Sequence, residues 1–202
     1  MSVRVKICGV TSAADAAAAI DAGADILGLN FYAPSPRYLD LDRARVVRDS
    51  IGLRATVVGV FVNAARDFID ERLRTLALDM LQFSGDENGD AFSGWPVPTI
   101  ATHRLKPGEV GSTADRRADY ILFDAFSSTL HGGTGERFSL GQLRGVDLSR
   151  AFIAGGLTPA NVAEAAALNP FAVDCASGVE SSPGVKDHAK LRSFVANAKR
   201  AR

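Results

Sequence analysis

The sequence predicts an α/β fold, a single (β/α)8 TIM barrel of near-minimal size that spans residues 1–202. Short β-rich runs alternate with loops and Ala-rich amphipathic stretches, a pattern typical of parallel strands joined by right-handed crossovers. Eight such runs can be counted, which is enough to close a barrel, whereas an open doubly wound sheet needs only five or six. The length fits one buried core and is short for two domains.

The predicted strands are apolar runs bounded by turn residues. They are Val3–Cys8, Asp25–Asn30, Thr56–Val62, Met80–Phe83, Val97–Ala101, Tyr120–Asp124, Ala151–Ala154 and Phe171–Asp174. Helical patterns follow most of them, most clearly at Ser12–Ala22, Leu41–Ser50, Arg66–Leu78, Ala160–Leu168 and Asp187–Ala198. The predicted helix N-caps are Thr11 or Ser12, Asp40, Thr158 and Asp187. Prolines and glycines blur the pattern between residues 86 and 111.

Composition excludes several classes of function. Lys plus Arg and Asp plus Glu both number 23, so there is no basic surplus of the kind that nucleic-acid binding requires. No apolar run approaches the roughly 18 residues of a membrane span, and the first residues lack a secretory signal, so we expect a cytoplasmic protein. Two cysteines and three scattered histidines show no metal-ligand spacing, so we expect neither a metal nor an organic cofactor. A monomer is the default expectation.

The first strand is expected to direct two polar side chains into the barrel. Its residues alternate, so the apolar set would face the helices and leave Lys6 and Cys8 in the mouth, where the active sites of such barrels lie. Cys8 could be a small buried hydrophobe. Its place at a strand end beside a cation favours a catalytic thiol, whose pKa the cation would help to lower. Asp174 is a second carboxylate near the mouth, and if it faces inward the same alternation turns Cys175 outward.

Asp124 is the second candidate for proton transfer. It ends the apolar run of the sixth strand, where it could cap a loop or act as a general acid or base opposite Cys8. The glycine-rich run at 131–135 follows and could form a loop that closes over a ligand. This run lacks the spacing of a phosphate-binding P-loop.

Two glycine turns indicate a phosphate site. Gly155 and Gly156 follow the seventh strand, and Ser177 and Gly178 follow the eighth. Loops at these two places commonly hold phosphate through backbone N–H groups. The sequence therefore predicts a small phosphorylated ligand.

Eight short motifs, spread in order over nearly the whole chain, match one known family. They are Lys-Ile-Cys-Gly at 6–9, Gly-Ala-Asp at 23–25, Ser-Pro-Arg-Tyr at 35–38, Gly-Val-Phe-Val-Asn at 59–63, Asp-Ala at 124–125, Gly-Gly-Thr-Gly at 132–135, Ala-Gly-Gly-Leu at 154–157 and Ser-Gly-Val-Glu-Ser-Ser-Pro-Gly-Val-Lys-Asp at 177–187. In these motifs the chain resembles the phosphoribosylanthranilate isomerases. The first and last motifs together are the most specific.

The resemblance implies a (β/α)8 enzyme of tryptophan biosynthesis that carries out an Amadori rearrangement of N-(5-phosphoribosyl)anthranilate. It implies Cys8 as general base at the sugar C2 and Asp124 as general acid at the ring oxygen. It also implies that Arg37 binds the anthranilate carboxylate, for which a planar guanidinium is suited. The expected substrate-binding residues are Lys6, Arg37, Gln82, Gly133, Gly155, Gly156, Asp174, Ser177 and Gly178.

The chain departs from the family pattern around the pocket. Ser84 stands where the family has His, Ala101 where a Lys is common, and Asn30 where an apolar residue is usual. His103 or Lys106 could supply the missing polar groups. These departures leave open an isomerase of a different aminosugar phosphate, or a ligand-binding paralogue without activity. A ribulose-phosphate epimerase-like enzyme would need metal ligands that the sequence does not offer.

Overall fold

Eight parallel strands close into a barrel. The computed structural model describes residues 3–106, 108–113, 117–125 and 140–201. The strands are β1 (Arg4–Cys8), β2 (Ile26–Asn30), β3 (Thr56–Phe61), β4 (Met80–Phe83), β5 (Thr99–Leu105), β6 (Tyr120–Ala125), β7 (Ala151–Ile153) and β8 (Ala172–Cys175). Neighbours in the chain are neighbours in the sheet, and β8 pairs back to β1, which confirms the predicted architecture.

Helices cover the outside of the barrel unevenly. They are α1 (Ala13–Asp21), α2 (Leu41–Ile51), α3 (Arg66–Leu76), α4 (Val162–Ala166) and α5 (His188–Arg200). Within the described residues the connections after β4, β5 and β6 contain no α-helix, and short 3₁₀ helices lie at Gly89–Phe92 and Leu140–Leu143. An antiparallel hairpin, β9 (Glu180–Ser182) with β10 (Val185–Lys186), follows β8. None of the described helices has the length and apolarity of a membrane span.

Side-chain caps begin three of the helices where the sequence predicts them. Ser12, Asp40 and Asp187 each accept hydrogen bonds from backbone N–H groups in the first turn of α1, α2 and α5. The predicted cap of α4 was wrong, because Asn161 rather than Thr158 is its N-cap. The N–H of Thr158 donates instead to Asn161 Oδ1 at 2.7 Å, which forms a turn ahead of the helix.

Alternate strand residues form two separate cores, one between strands and helices and one inside the barrel. Val5, Ile7 and Cys175 belong to the outer core, as predicted. Cys8 packs against the inner core. The inner core consists of Ile26, Val58, Val60, Met80, Ile100, Leu122, Phe152, Ala154 and Ala172. Large apolar side chains therefore fill the lower barrel, and polar side chains are concentrated at its upper end.

The fifth strand differs from the prediction in both position and facing. It runs from Thr99 to Leu105, because the segment from Ile100 to Leu105 pairs with β6 although the sequence there is polar. Ala101 pairs with Phe83 and Ile121, which both lie in the outer core. Ala101 therefore faces the outside of the barrel, and its inferred place on the pocket wall was wrong.

Three aspartates tie the lower ends of the strands together. Asp25 accepts a hydrogen bond from the N–H of Val5 at 2.8 Å. Asp79 and Asp119 do the same for β3 and β5, at 2.7 and 2.8 Å. Each aspartate immediately precedes an even-numbered strand. Its carboxylate accepts a hydrogen bond from a backbone N–H at the start of the preceding odd-numbered strand. These contacts hold the end of the barrel opposite the polar groups.

Candidate active site

An ion pair lies inside the upper barrel. Lys6 is fully buried on β1 and its Nζ lies 2.9 Å from Oδ2 of Asp174 on the adjacent β8. Burial alone would lower the pKa of Lys6, but the Asp174 carboxylate and Cys8 outweigh it and the pKa is raised. Asp174 Oδ1 is buried and has no hydrogen-bond partner among the described residues. This oxygen is available to a ligand, which fits the inward facing predicted for Asp174.

Cys8 ends β1 at the barrel mouth and is partly exposed. A Cβ atom at Gly28, on the adjacent strand, would come within 2.9 Å of the Cys8 sulfur, so the glycine leaves room for the thiol. Burial raises the pKa of Cys8, although Lys6 and Lys186 act in the opposite direction. Lys6 does act to lower this pKa, as predicted, but burial outweighs it. Burial therefore favours the protonated form of the thiol.

Asp124 lies on β6, three strands around the ring from β1. It is partly buried above the inner core, and burial together with the charge of Asp174 raises its pKa to about 6. Arg104 and Lys6 oppose this shift. At neutral pH Asp124 is therefore protonated far more often than an exposed aspartate, as a general acid requires.

Arg37 lies in the loop between β2 and α2 and forms a bidentate ion pair with a buried carboxylate. Its Nε donates to Glu180 Oε1 at 2.8 Å and its Nη2 to Glu180 Oε2 at 2.6 Å. The Arg37 side chain keeps 21% of its surface exposed, against 4% for Glu180. Lys186 also donates to Glu180, at 2.9 Å. Glu180 and Lys186 were not among the predicted site residues, although both lie in the last matching motif.

The wall formed by β4 and β5 is polar. Gln82 donates to Ser84 Oγ at 2.9 Å, and Ser84 and Thr102 hydroxyls lie 2.9 Å apart. Thr102, rather than Ala101, is the inward-facing residue of β5 at this level. Arg104 is two residues further on, beside Asp124 across the strand pair, and its guanidinium donates to the backbone carbonyl of Ser84. Arg104 is thus the cation at this wall that the sequence analysis missed.

The residues expected to replace missing contacts on this wall lie elsewhere. His103 Nε2 is 2.7 Å from Glu109 Oε1, and its strand partner Phe123 is in the outer core. Lys106 is exposed beyond the end of β5. Asn30 Oδ1 accepts from the N–H of Tyr32 at 2.8 Å and shapes the loop after β2.

The two glycine turns after β7 and β8 lie against each other. Gly155 and Gly156 have φ angles of 84° and 67°, which favour glycine, and open space surrounds Gly156. A Cβ at Gly178 would overlap the carbonyl oxygen of Leu157, so this glycine permits close packing of the two turns. The Cys175 thiol donates to the same carbonyl at 3.1 Å, and burial raises the pKa of Cys175 to about 12. Cys175 therefore joins the turns from outside the barrel.

One predicted contact lies outside the described residues. Gly133 and the rest of the glycine-rich run at 131–135 fall between residues 125 and 140. In the parts of the chain that the structure does describe, no three His, Cys, Asp or Glu side chains are grouped to hold a metal ion.

The chain is similar to proteins of one family over nearly its whole length. A family model described as N-(5'phosphoribosyl)anthranilate (PRA) isomerase matches residues 5–197. The N-(5'-phosphoribosyl)anthranilate isomerase of Pseudomonas fluorescens (strain Pf0-1) is 45% identical over 199 residues, which cover 96% of this chain and 97% of that protein.

Two solved structures show the same similarity. Phosphoribosyl anthranilate isomerase from Thermus thermophilus is 31% identical with a TM-score of 0.83, covering 99% of this chain and 100% of that one. A second structure of such an isomerase, in complex with reduced 1-(o-carboxyphenylamino)-1-deoxyribulose 5-phosphate, is 31% identical with a TM-score of 0.76 and covers 98% of both chains. The chain therefore belongs to the N-(5'-phosphoribosyl)anthranilate isomerase family.

Proposed function

We propose that this chain isomerises N-(5'-phosphoribosyl)anthranilate to 1-(2-carboxyphenylamino)-1-deoxyribulose 5-phosphate, an Amadori rearrangement of tryptophan biosynthesis. The observation that carries the proposal is the pair of titratable groups at the mouth, Cys8 on β1 and Asp124 on β6. Family membership supports the choice of substrate. So does the related structure described as a complex with the reduced form of this product.

The first proposed step opens the ribose ring. Asp124 gives its proton to the ring oxygen as the bond from that oxygen to C1 breaks, and the nitrogen lone pair forms a C=N bond. The raised pKa of about 6 supports this role, because it keeps a useful fraction of Asp124 protonated near neutral pH.

The second proposed step removes a proton from C2. Cys8 first loses its thiol proton to solvent, and the thiolate then takes the C2 proton while the electrons of the C–H bond form a C1=C2 double bond and neutralise the iminium nitrogen. The enolamine then becomes the ketone product when C1 gains a proton and the C2 hydroxyl loses one. A cation beside the thiolate stabilises it, and buried Lys6 supplies that charge.

The remaining residues are proposed to hold the substrate. Arg37 would bind the ring carboxylate, and the backbone of Gly155, Gly156, Ser177 and Gly178 would hold the phosphate. The unpartnered Asp174 Oδ1 supports a hydrogen bond to a sugar hydroxyl. Lys6, Gln82 and Gly133 complete the proposed set. Because Thr102 and Arg104 make the β4–β5 wall polar, the loss of the usual Lys no longer argues for a different substrate.

Two substitutions test the proton-transfer roles. Cys8→Ser and Asp124→Asn should each lower kcat by at least ~100-fold, because neither replacement can do the required proton transfer at neutral pH. Cys175→Ala is the matched control, since it removes a buried thiol outside the barrel and should retain near-parental kcat. Near-normal turnover by either variant, or failure of the parent to restore growth of a tryptophan auxotroph lacking this isomerase, would contradict the proposal.

We propose that the enzyme works in the cytoplasm on a small phosphorylated substrate, as a monomer and without nucleic acid. Cell fractionation and light scattering of the purified protein at micromolar concentration test these points.

A further inference from the structure

Three charged side chains form a largely buried cluster at the barrel mouth, beside the ends of β1 and β8. Glu180 on β9 accepts hydrogen bonds from both Arg37 and Lys186, and Lys186 is fully enclosed. Although burial alone would raise the pKa of Glu180, the hydrogen bonds from the two cations lower it. One carboxylate therefore lies between two cations, and the cluster carries a net positive charge.

The contact with Glu180 uses only one side of the Arg37 guanidinium. Nε and one hydrogen of Nη2 are taken by the carboxylate, while Nη1 has no hydrogen-bond partner among the described residues. A guanidinium carries five N–H donors in a rigid plane. Nη1 and the second hydrogen of Nη2 therefore form a free end, which has the spacing needed to bind a second carboxylate with two parallel hydrogen bonds.

Backbone contacts hold this cluster in place. A Cβ at Gly9 would overlap Cδ of Arg37, so the arginine stem lies directly over the end of β1. The backbone carbonyl of Glu180 accepts from Lys190 on α5 at 2.9 Å. Lys186 also donates to the carbonyls of Cys8, at 2.7 Å, and Ala176, at 3.1 Å. Lys186 thus binds the backbone of the proposed base and of the loop after β8, and it is linked to Arg37 through Glu180.

We propose that Glu180 is a positioning residue, which fixes the plane of Arg37 so that the free guanidinium end meets the anthranilate carboxylate. This inference rests on the proposed substrate and on the proposed role of Arg37. An unpaired arginine would sample many rotamers, and binding would have to order it. Glu180 orders Arg37 before the substrate binds, so binding no longer carries this cost. Lys186 binds both Glu180 and the carbonyl of Cys8, and it thereby fixes the position of the cluster relative to Cys8.

The test compares two ligands that differ only in the group Arg37 is proposed to bind. They are reduced 1-(o-carboxyphenylamino)-1-deoxyribulose 5-phosphate and its analogue without the ring carboxylate. Dissociation constants are measured by calorimetry for the parent, Glu180→Gln, Arg37→Met and the double variant. Glu71→Gln is the matched control, since Glu71 pairs with Arg72 on the outer helix α3.

We expect Glu180→Gln to raise the dissociation constant of the carboxylate-bearing ligand by about 10-fold and that of the analogue by less than about twofold. An amide cannot accept from both guanidinium nitrogens, because its own NH₂ would face one of them. In the double variant the two losses should not add, since Glu180 acts through Arg37. Steady-state rates of Glu180→Gln should show KM raised far more than kcat is lowered.

Equal weakening of both ligands by Glu180→Gln, or losses that add in the double variant, overturns the positioning role while leaving the proposed function intact. If Arg37→Met also fails to distinguish the ligands, the proposed carboxylate site is wrong as well, and the inference falls with it. Should Glu180→Gln not fold, Glu180→Asp replaces it. That variant keeps the charge beside Lys186 but is too short to hold both guanidinium nitrogens, and parental discrimination by it overturns the proposal.

Discussion

Asp124→Asn should make the protein more stable while removing the proposed acid. The pKa of Asp124 is raised to about 6 from its ordinary value of 3.8, chiefly by burial. The folded protein therefore binds the Asp124 proton more tightly than the unfolded chain does. Its contribution to stability is fully present below about pH 4 and is lost as the pH rises through 6. Asparagine has nearly the same shape and no charge to bury.

The size of the effect follows from the shift. A difference between 3.8 and about 6 corresponds to roughly 3 kcal/mol at most, at 1.36 kcal/mol per pH unit. Because Asp124 is only partly buried, solvent reduces this to about 1–2 kcal/mol. For a chain of this size, each kcal/mol moves Tm by about 2–4 °C. We therefore expect Asp124→Asn to melt about 2–8 °C higher than the parent at pH 8.

The assay is calorimetric melting of both proteins between pH 3.5 and 8, with urea unfolding at both ends. The Tm difference should be close to zero at pH 3.5, grow between about pH 4 and 6, and stay constant above that. Asp42→Asn is the control, because it removes one carboxylate that is 91% exposed on α2. It should lack this pH-dependent gain.

A Tm difference that is negative, or that is the same at pH 3.5 and pH 8, would refute the reasoning. Either result would mean that the ionised Asp124 is paired in the folded state rather than destabilised by burial. The turnover of the same variant separates stability from function, since more stable protein with retained kcat would remove Asp124 from the proposed chemistry.

Four further results should follow from the structure. Parental kcat/KM should fall as the pH rises above about 6, because Asp124 then loses the proton it must donate, and this limb should be absent in Asp124→Asn. Arg104→Met should raise KM by about 10-fold, because it removes the cation of the β4–β5 wall, whereas Ala101→Met on the outer face should change KM by less than about twofold. Gly178→Ala should destabilise the protein by about 2–4 kcal/mol in urea unfolding, because its Cβ meets a backbone carbonyl. Gly156→Ala, in open space, should cost about 1–2 kcal/mol from φ alone and reduce the rise in Tm that phosphate gives the parent.

The parts of the site that the sequence predicted depend on local backbone geometry. Side chains alternate along a strand, so an apolar run that ends in polar residues shows which of them face inward. Alternation predicted Lys6 inside the barrel and coupled an inward Asp174 to an outward Cys175, and the structure has all three side chains so placed. The ends of β1 and β4 follow from the same pattern, because Gly9 and Ser84 come directly after these apolar runs, whereas β8 ends at Cys175, one residue later than predicted.

The parts that the sequence could not predict depend on contacts between distant residues. The segment from Thr102 to Leu105 belongs to β5 because it pairs with β6. Its largely polar composition does not by itself predict a strand, so the predicted strand ended too early, at Ala101. Glu180 and Arg37 are 143 positions apart, and no local pattern connects them. The pKa of Cys8 depends on how completely the closed barrel excludes water, which outweighs the nearby cation.

The proposed order of the two proton transfers agrees with the charges in the pocket. Burial favours the neutral form of both Cys8 and Asp124, which suits the acid and opposes the base. Asp174 acts in the same direction on both groups, and Lys6 opposes it on both. Neither fixed charge therefore separates the two roles. Ring opening does so, because it places an iminium cation next to C2, and a cation there lowers the pKa of the Cys8 thiol. The base is needed only after that cation has formed, so protonation by Asp124 must come first.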